Sequence, residues 1–176
     1  MKNWRTGPTA GSRPTRTPRR SATGSRWPTS TPTTPPTAGT SAPKEDVMCV
    51  GKEEIAEIAL GLEMEGLENW VYEYQKVLID EKQNEIVGFW KQIANRSDGT
   101  RDEIYGIGGS WFRLNDQLLI EWQRDFFDFG HVAKGYAKLI ESGDLTPTMQ
   151  KRIERSLAGE KLPGYYPLGE APTPIW

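Results

Sequence analysis

The amino-acid sequence changes character at position 43, and this change limits a folded domain to the 133 residues that follow. Residues 1–43 contain eight Pro and eleven Thr, and their only aromatic residues are Trp4 and Trp27. Such a segment cannot bury enough apolar surface to offset the entropy that it would lose on ordering. We therefore predict a disordered arm over 1–43, with polyproline character near 31–36. The sequence leaves open whether the arm belongs to the functional protein.

The formal charge of the chain also changes sign after position 43. The arm carries seven Lys and Arg and no acid, and the net charge of −2 for the whole chain leaves −9 on residues 44–176. Cations that neutralise phosphates and Trp rings that stack on bases are the chemistry of a nucleic-acid contact. The arginines available for such a contact are Arg13, Arg16, Arg19, Arg20 and Arg26. Because these cations are dispersed and the domain is acidic, a tether or a protein-binding arm is the preferred interpretation.

Apolar residues after position 43 recur at helical spacing, which predicts a mostly α-helical domain over residues 44–159. Helices are predicted over about 52–65, 67–94, 111–141 and 147–157. The second and third helices have similar lengths, so we expect them to form a long antiparallel hairpin that the two shorter helices cover. An extended strap over 160–176 is expected to follow the domain.

The predicted third helix carries bulky apolar residues on more than one of its faces. Leu118, Leu119 and Ile120 are consecutive, so on a helix they would point in different directions. A helix that is apolar on several sides must be covered on several sides, and exposed surface of this kind marks protein interfaces. We therefore predict a structural or assembly protein that forms a homo- or hetero-oligomer. The predicted interface residues are Trp111, Leu118, Trp122, Phe126, Phe127, Phe129, Tyr136 and Trp176.

Part of this region has a pattern found in a known class of proteins. The pattern consists of Val87-Gly-Phe-Trp-Lys-Gln-Ile93, Trp111-Phe-Arg-Leu-Asn-Asp-Gln-Leu-Leu-Ile120 and Gly130-His-Val-Ala-Lys-Gly135. Over about residues 67–142 it resembles the helical region of tailed-phage portal and minor head-morphogenesis proteins. The resemblance implies a virion structural protein of the bacteriophage head or connector, without catalytic residues.

Asp128 and His131 form an Asp-x-x-His unit, which on a helix resembles half of a ferritin-like dimetal site. His131 is the only histidine, so a complete site would require a dimer, with Glu121 and Asp125 on the same helix and Glu81 or Glu85 on the second helix as further ligands. This arrangement remains an alternative function. The preferred interpretation is a pair of side chains on a helix surface, and we predict no metal and no other cofactor.

Glu121, Asp125 and Asp128 are also candidates for acid–base catalysis. No neighbouring residue indicates a perturbed pKa, and a solvated acidic stripe offset by Arg124 and Lys134 is the preferred interpretation. No catalytic residue is therefore assigned, and the protein is not expected to be an enzyme.

Gly106, Gly108 and Gly109 are interpreted as a flexible turn that leads to Ser110 as the N-cap of the third helix. The segment lacks the Lys-Ser/Thr pair of a phosphate-binding loop.

The single cysteine, Cys49, cannot form an intrachain disulfide. No segment approaches 18 consecutive apolar residues, and the N-terminus has no apolar core of a secretory signal. We expect an intracellular or virion protein that is neither secreted nor embedded in a membrane.

Overall fold

The computed structural model describes residues 35–176, which form a seven-stranded sheet with helices packed on one face. In the sheet the strands follow the order β3-β4-β5-β6-β1-β2-β7, and all neighbours are antiparallel except β6 and β1. The domain is therefore α+β, and the predicted mostly α-helical fold is wrong. The strands are β1 (Thr37–Ser41), β2 (Glu45–Val50), β3 (Trp70–Asp80), β4 (Glu85–Asn95), β5 (Arg101–Leu114), β6 (Ile120–Phe127) and β7 (Tyr165–Pro167).

The helical elements lie between β2 and β3 and after β6. They are α1 (Lys52–Glu54), continued by a π-helical turn (Ile55–Ala59) and a 3₁₀ turn (Leu62–Met64), then α2 (Phe129–Ser142) and α3 (Pro147–Leu157). The sequence had indicated helix near 52–65, and its prediction for α3 is confirmed. The Thr146 hydroxyl caps α3 by accepting a hydrogen bond from the Met149 amide at 3.1 Å.

The predicted second helix is the hairpin of β3 and β4. Its segment from Val71 to Ile79 is rich in β-branched and aromatic residues, which favour strands. The polar residues 81–84 form the turn, where Asn84 has a φ of 54°. β3 and β4 are each partly apolar on both faces, and their apolar residues happen to recur at a spacing that also fits a helix.

The predicted third helix is divided among three elements. Residues 111–114 end β5, residues 115–119 form a turn, and β6 leads into α2. Only α2 agrees with the predicted third helix: residues 129–141 are helical, and Gly143 terminates the helix with a φ of 74°. The long antiparallel helical hairpin is therefore absent from the part of the chain that the structure describes.

The predicted glycine-rich turn lies inside β5. Gly108 faces the Trp90 ring and Gly109 faces the Phe126 ring, so that a Cβ atom at either position would collide with an aromatic side chain. Glycine weakens an isolated strand, but here it makes room for rings from neighbouring strands that cover its backbone.

Two apolar clusters join the sheet to the helices, and both lie on the same face because directly paired residues share a face. The first brings α2 and α3 onto β3, β4 and β5; its buried residues are Leu67, Trp70, Ala94, Ile104, Val132, Leu139 and Met149. The second brings the π-helical turn onto β1 and β2; its buried residues are Ala38, Val47, Cys49, Ile55 and Ile58. Burial raises the pKa of the Cys49 thiol to about 11.

The opposite face of the sheet, which we call the outer face, is crossed by the end of the chain. Arg124 is 2% exposed there, and its guanidinium donates to the carbonyl oxygens of Pro174 and Ile175, each at 2.9 Å. The same guanidinium lies 4.4 Å from the centre of the Trp122 ring. Desolvation lowers the pKa of Arg124 to about 10. These contacts hold the last residues against β6.

Two of the observed strands lie in segments that were predicted to be outside the folded domain. Residues 1–34 of the predicted arm lie outside the described residues, whereas 37–41 form β1. Residues 165–167, in the predicted strap, pair with β2 as β7. Within residues 35–176 no helix has the length and apolar character needed to cross a bilayer.

Candidate functional site

A row of polar side chains crosses the middle of the helix-bearing face. Ser110 on β5 is directly opposite Asp125 on β6, and Asp125 is in turn opposite Thr40 on β1. Because directly paired residues project on the same side, the three side chains share one surface. The row lies between the two apolar clusters, where neither group of helices buries the sheet completely. We call Thr40, Ser110, Gln123 and Asp125 the polar row.

Asp125 is the only carboxylate of the polar row. Gln123, two residues before it on the same strand, donates its amide to both carboxylate oxygens, at 3.0 and 3.1 Å. Burial raises the pKa of the Asp125 carboxyl, and hydrogen bonding from Ser110 and Gln123 and the charge of Arg124 offset this only in part. The structure thus keeps a protonatable carboxyl in a partly desolvated place.

Thr40 contributes an unsatisfied polar atom. Its Oγ1 is buried and has no hydrogen-bond partner among the residues that the structure describes. Leaving a buried hydroxyl without a partner costs about 1–3 kcal/mol. Natural proteins seldom accept this cost unless a water molecule or a ligand completes the bond. Thr40 is directly opposite Asp125, so the two side chains project from the same face of the sheet.

Aromatic rings form a wall next to the polar row. The Trp90 Nε1–H donates to the Ser110 hydroxyl at 3.1 Å, which joins the wall to the row. Tyr72 meets the Trp90 ring edge-on, with ring centres 5.1 Å apart. Burial raises the pKa of Tyr72 to about 12 and also raises that of Tyr74. The face therefore offers flat apolar surfaces close to a few polar groups, a combination typical of small-molecule sites.

Tyr74 is the most exposed member of this wall. Half of its surface is accessible, at 51%, and its ring lies over Gly88 on the neighbouring strand. A side chain at position 88 would displace the ring. Gly88 is opposite Ser110 in the β4–β5 ladder, so the Tyr74 ring lies next to the polar row.

Two hollows elsewhere on the surface have less suitable chemistry. One, of about 240 Å³, lies where β3 begins and β4 ends, beside the end of α2 and the start of α3, and Arg96 in it is paired with both Asp102 and Asp144. Its charges are therefore already satisfied within the protein. The other, of about 300 Å³, lies on the outer face beside Leu78 and Trp111.

The residues predicted as an interface do not form one surface. Trp111, Trp122 and Trp176 pack together on the outer face, with ring centres 5.1 and 5.8 Å apart. Phe127, Phe129 and Tyr136 lie on the side of the helices, and Leu118 is in an exposed turn. The prediction of a structural or assembly protein is wrong, because the single helix with several apolar faces on which it depended does not exist.

Asp128 and His131 are close together, but they form a helix cap. Asp128 precedes α2 and accepts a hydrogen bond from the His131 amide at 3.0 Å, while His131 Nδ1 lies 2.8 Å from its other oxygen. These hydrogen bonds lower the pKa of Asp128. The ferritin-like alternative is wrong, since Glu121 and Asp125 lie on β6 and not on the same helix. Residues 35–176 contain no cluster of three or more His, Cys, Asp or Glu that fits a metal ion.

The other predicted sites have different outcomes. Arg13, Arg16, Arg19, Arg20 and Arg26 lie outside the described residues, so nucleic-acid binding by the arm stays a prediction. The sequence analysis named Asp125 as a candidate, but as one member of an acidic stripe on a helix. Thr40 and Ser110 were missed because only the pairing of β1, β5 and β6 brings them to Asp125.

Comparison with known proteins identifies similar folds only. No family model matches the chain, and no curated protein matches it. A crystal structure of a putative SnoaL-like polyketide cyclase from Jannaschia sp. CCS1 has a TM-score of 0.44 and 15% identity, covering 57% of this chain and 69% of that one. TerC co-crystallised with polyporic acid has a TM-score of 0.38 and 16% identity, covering 53% of this chain and 65% of that one.

Similarities of this size assign neither a ligand nor a reaction to this chain. The resemblance to phage portal and head-morphogenesis proteins is wrong, because most of its region, 67–142, forms strands β3–β6 rather than paired helices.

Proposed function

We propose that this protein binds a small, neutral, planar molecule on the helix-bearing face of its sheet, with the polar row as the anchor. The unpartnered Thr40 hydroxyl beside the Asp125 carboxyl is the observation that carries the proposal. A ligand with one oxygen or nitrogen group in this position satisfies the hydroxyl and adds a hydrogen bond to the carboxyl.

The chemistry of the polar row selects the ligand class. A protonated Asp125 donates to a carbonyl oxygen, and an ionised Asp125 accepts from a hydroxyl or an amine. The raised pKa of Asp125 disfavours an anionic ligand, which would increase the cost of the carboxylate charge. The rings of Tyr74 and Trp90 provide the flat contact that holds an aromatic or conjugated body.

The proposed role is binding without catalysis. Gln123 holds both carboxylate oxygens of Asp125, which fixes the carboxyl in one orientation. Such a fixed acceptor suits recognition of a ligand group.

Equilibrium binding to the full-length protein tests the proposal. 1-Indanone and 2-naphthol serve as probes, because each combines a planar apolar body with one oxygen group. We expect Thr40→Val and Asp125→Ala each to weaken probe binding about tenfold or more, which corresponds to the loss of roughly one well-formed hydrogen bond. Asp116→Asn is the matched control, because Asp116 is an exposed carboxylate in the turn before β6. Equal affinity for all four proteins would reject the polar row as the anchor.

A further inference from the structure

We infer that β3 pairs with β3 of a second copy of this chain, antiparallel and centred on Leu78, so that two sheets join into one across a twofold axis. This inference concerns the edge of the sheet and does not depend on the ligand site.

Among residues 35–176, β3 has no neighbour on one of its edges, and this edge is long with an apolar centre. β3 is the first strand in the order of the sheet, and all its residues from Glu73 to Asp80 are exposed. Val77, Leu78 and Ile79 follow one another with exposures of 51%, 48% and 67%. An edge strand of this kind presents unpaired backbone groups and apolar side chains together, and natural proteins normally protect such an edge or pair it with another chain.

The charge pattern of β3 favours a second copy of β3 as the strand that pairs with this edge. In an antiparallel pair centred on Leu78, Lys76 of each copy is directly opposite Asp80 of the other, and Val77 is opposite Ile79. Opposite charges and apolar pairs at directly opposed positions each stabilise a sheet by about 0.2–1 kcal/mol. Two ion pairs therefore flank a continuous apolar centre.

Neighbouring registers lose this match. Centring the pair on Val77 places Lys76 opposite Leu78, and centring it on Ile79 places Lys76 opposite Lys82. Like charges directly opposed are destabilising, so the sequence of β3 specifies one register.

The charges of Lys76 and Asp80 lack a counter-charge among the described residues, although one oxygen of Asp80 accepts hydrogen bonds from the amides of Lys82 and Gln83 at 3.0 and 3.2 Å. Neither Lys76 nor Asp80 takes part in an ion pair within residues 35–176. Asp80 is opposite Glu85 in the β3–β4 hairpin, and Glu85 is itself paired with Arg113 at 3.1 Å. A lysine supplied by a second copy pairs with Asp80, which has no ion pair within the described residues.

A hollow on the outer face lies next to the edge of β3. Leu78 lines the hollow of about 300 Å³ together with Val87 and Trp111. Leu78 shares this face with Lys76 and Asp80, because the three residues alternate along the strand. In the dimer the two Leu78 side chains meet at the axis and cover the two hollows.

Sedimentation of the full-length chain tests the pairing. We expect a particle of twice the 19.9 kDa chain mass. Lys76→Glu should convert it to a monomer, whereas Lys138→Glu, at an exposed position on α2, should leave the dimer intact. Asp80→Lys alone should also give a monomer. A mixture of Lys76→Glu and Asp80→Lys chains should restore the dimer, because opposite charges then face each other at both ends.

Cross-linking provides a second measurement that does not depend on charge. Leu78→Cys should form an intermolecular disulfide on mild oxidation, because the two side chains are directly opposed. Gln75→Cys should not, since its two copies lie far apart in this register. Cys49 is fully buried and gives no background.

Three results would overturn the inference. They are a monomeric wild-type chain, a dimer that Lys76→Glu leaves unchanged, and cross-linking of Gln75→Cys as fast as that of Leu78→Cys. If the chain is monomeric and the backbone amides of residues 77–79 still resist hydrogen exchange, other residues of the same chain cover the edge of β3.

Discussion

Thr40 and Asp125 are directly opposite each other where β1 runs parallel to β6, and the buried Thr40 hydroxyl has no partner within the described residues. The two residues are far apart in the sequence, and one pair of strands brings them together. The account of the site depends on this pairing, because it places an unsatisfied hydroxyl beside a carboxyl whose pKa is raised by burial.

Asp125 should make the stability of the protein depend on pH. Because its pKa is raised in the folded state, its contribution is fully present below the pKa of the unfolded chain and is lost as the pH rises through the folded-state pKa. Asp125→Asn removes this loss. We therefore expect the difference in unfolding free energy between Asp125→Asn and wild type to shift in favour of the variant from acidic to neutral pH.

Urea unfolding over a pH series measures this difference, with Asp116→Asn as the control for an exposed carboxylate. A difference that stays constant with pH, or that shifts in favour of the wild type on going to neutral pH, would show that burial does not raise the pKa of Asp125.

Arg124 should anchor the last residues of the chain to the outer face. Arg124→Gln removes the hydrogen bonds to Pro174 and Ile175 and the stacking on Trp122, and we expect it to cost roughly 2–4 kcal/mol of unfolding free energy. Arg113→Gln is the matched control. It lies over the same Trp122 ring but is 44% exposed, so its cost should stay below about 1 kcal/mol.

Limited proteolysis gives a second measurement for this clamp. The Arg124→Gln variant should lose its C-terminal residues faster than Arg113→Gln does. Equal stability and equal cleavage in the two variants would contradict the role of Arg124.

Gly108 should be intolerant of any side chain. Gly108→Ala places a methyl group against the Trp90 ring, and we expect a loss of about 1–3 kcal/mol with a change in the near-ultraviolet circular dichroism. Gly130→Ala is the control, because Gly130 lies in the first turn of α2 and a Cβ atom there meets only the Asp128 carboxylate tip. If both alanine variants have wild-type stability, the ring does not cover Gly108 as described.

The sequence identified the helices near the ends of the domain better than the sheet between them. The Thr146 cap and Pro147 are local signals, and they specified the start of α3 without tertiary contacts. Gly143 likewise marked the end of α2. These signals involve residues that are only a few positions apart in the chain. They can therefore be recognised from the sequence without knowledge of tertiary contacts.

The sheet was missed because β6 places most of its apolar residues on the outer face and polar residues toward the helices. Trp122 and Phe126 point to the outer face, whereas on the helix-bearing side Phe127 follows the polar Gln123 and Asp125 and ends the alternation of the strand. The same residues also matched a helical period. In β5 the glycines suggested a turn, and only the rings of Trp90 and Phe126 explain why they occur inside a strand.

The candidate site was recognisable only in part for the same reason. Asp125 appeared in the sequence as one of several acids, without a neighbour that would perturb its pKa. The burial and the pairing with Thr40 and Ser110 arise from the order of strands β5-β6-β1, and no local pattern carries that order.

The most direct test of the account is to map a bound probe by nuclear magnetic resonance. Titration of isotope-labelled protein with 1-indanone should shift the Trp90 indole N–H and the amides of Thr40 and Asp125, and Thr40→Val should weaken these shifts. The Trp122 indole on the outer face is the internal reference and should not move. Shifts confined to Trp122 and its neighbours, or no saturable shift at all, would contradict a ligand site on the helix-bearing face.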